Sequence, residues 1–275
     1  MADWNKVAEA IVSEPDVALF DIEEVIIAVM KTANRYLEKD QEAGLVVAGL
    51  EEEFEFEHAG QRRKGFIDLR GWREAIPFVC DYKSTGTLDE KWAYREENSE
   101  QTLYYAHALH VVNGWEEPRE VLVHVRGVDR EGHQWLIEKT ITPHMLVEFD
   151  QQSGAWSRLQ LGLWANDGWR QPWPRNKPEG CRPFGPNPRY FCDFESLCNN
   201  WKPEDDPARL LKEAGELTSS FSSNKEFRRC PERRRLLQIN KLLGAERSDS
   251  PEASWGNGFH RGIAEVYRQE FRGGK

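Results

Sequence analysis

The sequence predicts an α/β fold, a mixed sheet with flanking helices, on three observations. Residues 1–40 carry apolar side chains at helical spacing, and short strand-like runs follow between 44 and 80. A second helical stretch then precedes two runs that alternate cleanly between 120 and 142. The order helix, three strands, helix, two strands is that of a sheet covered by helices rather than a helical bundle or a β-sandwich.

Taken in order, Asp21 with Glu24 three positions on forms an N-terminal capping pair, and Ile22, Val25, Ile26, Val29, Met30 and Ala33 form a stripe that predicts core packing. Residues 44–57 read as a strand ending in the acidic run LEEEFEFE. Alternation assigns Leu50, Glu52, Phe54 and Phe56 to one face and Glu51, Glu53, Glu55 and Glu57 to a solvated one. His58 to Lys64 (HAGQRRK) is a polar hairpin turn whose Arg62, Arg63 and Lys64 suit a solvated loop or a phosphate contact. Phe66 to Leu69 and Ile76 to Cys80 are the next strands, with Cys80 expected as a small buried apolar residue. A polar loop is expected from there to Glu97. Asn98 with Gln101 three positions on starts a helix running to about Val112. Glu120–Val128 and Gln134–Thr142 alternate about DREGH, a hairpin holding His124 and His133 away from any chemistry. Pro143 opens a helix to about Trp164, with Gly154 as a break point.

A chain of 275 residues can bury a full core as one large domain, or one domain with a lobe. Lys and Arg number 37 against 47 Asp and Glu, a net charge of −10, which argues against nonspecific coating of nucleic acid. A local positive groove remains compatible with that total, and Phe221–Lys275 holds 12 Lys/Arg against 7 Asp/Glu. The run Val17–Met30 is broken by Asp21, Glu23 and Glu24, so no membrane span is expected. The start lacks the basic and apolar regions of a signal peptide, which predicts a cytoplasmic location. Five cysteines in a reducing compartment then predict no disulfide framework, and three of them close together late in the chain point to metal. Several of the 11 tryptophans fall in loops, placed to pack or to stack on bases.

The chemistry-bearing stretch is Gly65–Tyr105. Asp68 and Asp81 each lie on one of two neighbouring strand-like runs, and Lys83 follows two residues beyond the second. Alternation puts Asp81 and Lys83 on one face while Tyr82 points away, leaving its carbonyl to face the carboxylates. Two anionic oxygens and a carbonyl suit Mg2+ or Mn2+, and an ammonium beside them suits a phosphate. Gln101 and Tyr105, four apart on a helix, look into the same cleft.

Gly65-x-Ile67-Asp68, Asp81-Tyr82-Lys83 and Gln101-x-x-x-Tyr105, in this order, resemble the PD-(D/E)XK nuclease superfamily, in its RecB-like branch with the CRISPR-associated iron-sulfur nucleases. The resemblance implies a restriction-endonuclease-like core and divalent-metal-dependent hydrolysis of DNA, as an exonuclease in repair, recombination or phage DNA processing. It implies Asp68, Asp81 and the Tyr82 carbonyl as metal ligands, with Lys83, Gln101 and Tyr105 catalytic. Glu51, with Phe54 three positions on, is the nearest match to an accessory acidic group. DNA is the implied partner; the resemblance leaves open whether a helicase or recombinase works with it. The alternative is a silent DNA-binding or scaffold protein that retains the fold.

The tail resembles the beginning of that same domain, with Cys230-Pro231, then Gly256 or Gly258, then His260 as a further metal ligand. The implied chain is circularly permuted: core over 1–168, a Cys-rich loop over 169–201, a connector over 202–218, and the family's first segment over 219–275. A truncated second copy and a domain-swapped tail are the other arrangements. Where the family places a glutamate four residues after its histidine, this chain has Ala264, with Glu265 one place off. Cys181, Cys192, Cys198 and Cys230 make four thiolates, enough for a [4Fe-4S] cluster; their spacing departs from the usual one, and tetrahedral Zn2+ fits the same set.

Overall fold

The structure is a computed structural model that describes residues 2–13, 21–165, 217, 235, 238–239 and 251–271. It divides into two compact units, one of residues 1–54, 66–149 and 248–275, the other of residues 55–65 and 150–247.

The first unit opens with α1 (Trp4–Val12), where Asp3 caps the helix by accepting from the Asn5 amide at 3.1 Å. In α2 (Ile22–Glu42) Asp21 accepts from the Glu23 amide at 2.8 Å, so the helix starts where the capping residue predicts. Val25, Val29 and Ala33 of the expected stripe are buried, whereas Met30 lies on the exposed side. Next come β1 (Val46–His58), β2 (Gln61–Arg73) and β3 (Ile76–Thr85). Glu74 and Ala75 both have positive φ, the requirement of a tight two-residue hairpin link, and they close β2 onto β3 at the Arg73↔Ile76 pair.

The stretch after Lys83 departs from the expected loop. It contains α3 (Glu90–Glu97), capped by Asp89 accepting from the Trp92 amide at 2.8 Å and buried through Trp92, Ala93 and Glu96. Then follow α4 (Gln101–Val112), β4 (Val121–Asp129) and β5 (Gln134–Ile141). The five-stranded sheet has the order β1-β2-β3-β4-β5. β3 pairs antiparallel with β2 and parallel with β4, and β4 pairs antiparallel with β5. A parallel step needs a crossover, and α3 and α4 supply it. Two helices follow, α5 (Pro143–Trp164) and α6 (Pro251–Phe271).

Alternation along β3 sends Phe78, Cys80 and Tyr82 into one core, with Val7 and Ile11 of α1, Val29 of α2, and Phe259 and Ile263 of α6. The opposite face carries a smaller core in which Trp92 and Ala93 of α3 meet Val125 and Ile137. Gly127 makes room for α3, since a Cβ there would sit 2.4 Å from the Trp92 ring. Cys80 is buried as expected, and burial pushes its thiol up to about 12.

Inside the larger core lies a charge cluster that no sequence motif announced. Asp40, at 0 % exposure, accepts two bonds from Arg126 (2.7 and 2.8 Å), one from Arg73 (2.7 Å) and one from the Tyr267 hydroxyl (2.5 Å). Burial would raise its carboxyl, but Arg126, Tyr267 and Arg73 outweigh burial and hold it below the usual range. Arg126 also lies over the Tyr36 ring at 4.3 Å and donates to Tyr82 Oη at 3.1 Å.

In the second unit Ala59 and Gly60, both at positive φ, make the tight turn between β1 and β2. Arg63, read from sequence as a loop cation suited to phosphate, is fully buried there and donates to the Ser153 carbonyl (3.0 Å) and Ser157 Oγ (2.8 Å) of α5. Arg62 pairs with Glu55 at 2.6 Å. Arg235 is fully buried as well. Cys181, Cys192, Cys198 and Cys230, and the connector apart from Leu217, lie outside the described residues. No helix among the described residues is long and apolar enough to cross a membrane.

Candidate metal and catalytic site

The β2–β3 ladder runs from Arg73↔Ile76 to Leu69↔Cys80. Past its last pair the Asp68 side chain acts as acceptor, and its Oδ2 takes the Tyr82 amide at 2.6 Å. The Tyr82 amide thus donates into the site, a contact the sequence did not suggest. Asp68 Oδ1 lies 3.3 Å from His260 Nδ1, and the same nitrogen lies 3.6 Å from Glu51 Oε1. Glu51, Asp68 and His260 each offer a ligand atom, all within 4.8 Å of one another.

Glu51 reaches this point because its backbone is left-handed, with φ of 48° in the middle of a strand. A non-glycine residue in that region is strained, and the kink takes Glu51 off the solvated face, while Glu53, Glu55 and Glu57 stay exposed and Phe54 buried as the alternation predicts. Glu52, the next residue, turns to Arg70 and holds it with two bonds of 2.6 and 2.8 Å. Glu51 Oε1 is buried with no hydrogen-bond donor among the described residues.

Helix α6 brings His260 in from the far end of the chain. Gly256, one turn earlier, lets the helix run close to β3, because a Cβ there would lie 2.5 Å from Ser84 Oγ. The His260 ring packs against the Tyr82 and Phe259 rings, with centroids 6.5 and 6.0 Å apart. Burial disfavours its imidazolium, but the Asp68 and Glu51 carboxylates outweigh burial and raise the group to about 10. Glu265, the glutamate one place off the family position, instead holds Arg268 and accepts from Gln269 Nε2 at 2.9 Å on its own helix.

The other half of the site stands on β3 and α4. Lys83 Nζ lies 2.9 and 3.1 Å from the two Asp81 oxygens and donates to Gln101 Oε1 at 2.9 Å. Gln101 Nε2 donates in turn to Tyr105 Oη at 2.6 Å, the contact that residues four apart on a helix can make. Burial pushes the Asp81 carboxyl up to about 6; Lys83 opposes the rise and Asp68 adds to it. For Asp68, burial is outweighed by His260, the Tyr82 amide and Lys83, so its carboxyl stays low. Lys83 stays a cation, because Asp81 more than offsets burial.

The geometry thus gathers Glu51, Asp68 and His260 in one cluster and Asp81, Lys83, Gln101 and Tyr105 in a chain beside it. The clusters share Tyr82, whose flanking residues are Asp81 and Lys83. Asp81 does not join the close ligand set of Glu51, Asp68 and His260. His124, expected to be uninvolved, is buried with its Nε2 2.9 Å from Glu138, and burial with Arg126 and Arg73 nearby lowers it to about 3. Compared with models of known protein families and with curated proteins, the chain matches none.

Proposed function

We propose that this protein is a divalent-metal-dependent deoxyribonuclease with the restriction-endonuclease-like core of the PD-(D/E)XK superfamily, hydrolysing DNA phosphodiesters in the cytoplasm. The observation that carries the reading is the pairing of Asp81 with Lys83 and of Asp68 with a histidine from the distant α6, on either side of Tyr82.

The residues fit a divalent ion. Glu51 Oε1 is buried and makes no hydrogen bond among the described residues, with His260 Nδ1 3.6 Å away, and a donor set of carboxylates with one imidazole suits Mn2+ and accepts Mg2+. Glu51, Asp68 and His260 would hold the ion, with the Tyr82 carbonyl as the further ligand read from sequence. A bound divalent ion acidifies water and offsets phosphate charge.

The chain's own groups supply the rest. Asp81, pushed up to about 6, is ionised near pH 7 and basic enough to take a proton from the attacking water. Lys83, held by Asp81 and Gln101, stands ready to donate to a phosphate oxygen as charge builds in the transition state. The water oxygen bonds to phosphorus, its proton passes to Asp81, the phosphorus–oxygen bond to the leaving strand breaks, and the leaving oxygen takes a proton from solvent water. Gln101 and Tyr105 fix the Lys83 ammonium and wall the site.

The reading extends to a [4Fe-4S] cluster on Cys181, Cys192, Cys198 and Cys230, with Zn2+ as the alternative, which iron, sulfide and zinc analysis of anaerobically purified protein distinguishes. The deciding experiment incubates end-labelled single- and double-stranded DNA with the protein in Mn2+, Mg2+ or chelator. Metal-dependent cutting by the native chain, and none by a folded Asp81→Ala variant that still binds DNA, is the expected result. Cutting unchanged in Asp81→Ala overturns the reading.

A further inference from the structure

We propose that Asp40 is a positioning residue for the candidate metal centre, holding its two walls, strand β3 and helix α6, in register. The inference rests on the metal reading above and adds a part that no motif contains.

Asp40 touches no candidate ligand. Its bonds run to Arg126, Arg73 and Tyr267, and Arg126 carries the link on to Tyr82 Oη. Tyr82 is where that link meets the site: its amide holds Asp68 Oδ2, and its ring lies against the rings of His260 and Tyr267, each with centroids 6.5 Å away. Tyr267 stands seven residues after His260, two helical turns, so the two side chains share one stripe of α6. Arg126 Nη1 also donates to Tyr267 Oη at 2.8 Å. A single carboxylate therefore fixes both the strand that presents the Tyr82 amide and the helix that presents the His260 ring.

Stability alone is a poor reason for this cluster, because buried ion pairs replaced by well-packed apolar groups often leave a fold as stable or more so. What the cluster supplies is direction. Hydrogen bonds from β2, β4 and α6 to one buried carboxylate admit one relative placement, whereas apolar packing tolerates sliding. The ligand atoms of Glu51, Asp68 and His260 sit within 4.8 Å of one another, a spacing that a small slide of α6 would open.

The test uses the full chain with Tyr267→Phe, which removes only the hydroxyl, and Asp40→Asn as the stronger variant. Two quantities are read: Mn2+ affinity by titration calorimetry, and the His260 ring resonance in the metal-free protein. Tyr267→Phe is expected to weaken Mn2+ binding about tenfold, as loss of a ligand-orienting partner does, and to shift the ring resonance. The affinity loss is expected to vanish when His260→Ala is already present, since the hydroxyl acts through that ring. An unchanged affinity, or an equal loss in the His260→Ala background, overturns the proposal. If the native chain binds no Mn2+, the metal reading falls instead. The ring resonance then decides this one, and a resonance unmoved by Tyr267→Phe overturns it.

Discussion

The carboxylates of Asp40 and Asp68 are both buried beside cations in the same unit, yet their surroundings differ in kind. Around Asp40 each oxygen receives donors from fixed side chains, and the backbone nearby is relaxed helix and strand. Around Asp68 the neighbouring Glu51 sits in strained backbone with a buried oxygen that makes no hydrogen bond among the described residues, and His260 faces two carboxylates through one nitrogen. Saturated charge marks a joint; charge left partly unmet, in a backbone that is strained to deliver it, marks a place prepared for something else.

Breaking that contrast on the Asp68 side should have the largest effect. Asp81→Asn is expected to cut phosphodiester hydrolysis about a thousandfold while leaving the melting transition in place, checked by end-labelled DNA turnover beside thermal unfolding. On the other side, Asp40→Ala strands the buried Arg126 guanidinium and should destabilise the fold by about 3–5 kcal/mol in denaturant unfolding. A cluster that served only the chemistry would show no such loss.

Two smaller effects sharpen the comparison. In the metal-free protein His260 keeps its proton up to about pH 10, so an ion must displace that proton to bind. Mn2+ affinity should therefore rise about tenfold per pH unit between 7 and 9, with one proton released per ion in calorimetry run in buffers of different ionisation enthalpy. The smallest effect concerns Glu51→Gly, which relieves the left-handed backbone. It should raise stability by about 1 kcal/mol while weakening Mn2+ binding, and a loss of stability would show that Glu51 is structural.

His124 offers a check away from the site. Its folded value, near 3, lies below the unfolded one, so it favours the fold above about pH 6.5, and that contribution is lost as pH falls towards 3. A His124→Gln variant should show a flatter acid limb in pH-dependent unfolding.

What the sequence disclosed, and what it hid, follows from the range of each interaction. Asp21 before a helix, the alternating β4–β5 pair and the Asp81–Lys83 spacing are local patterns, and each stands where the residues predict. Gln101 and Tyr105 are neighbours for the same reason. Helix α3 was hidden because EKWAYREE is polar on most of its surface, though Asp89 ahead of it was a readable cap. The turn at Glu51 was hidden because alternation assumes an unbroken strand, and only the acidic density of LEEEFEFE hinted at strain. Arg126 could have been singled out as a charge at an inward position of VLVHVRGV. Its partners, Asp40 and Tyr267, lie 86 and 141 residues away, beyond any spacing rule.

The imidazole that faces Asp68 stands on a helix reached only after residue 251, whereas both aspartates are made within the first 81. During synthesis the acidic strands therefore leave the ribosome long before the imidazole that meets them. On the metal reading proposed above, the centre stays incomplete until translation passes that final helix, so a nascent chain carries the carboxylates without the imidazole that faces them.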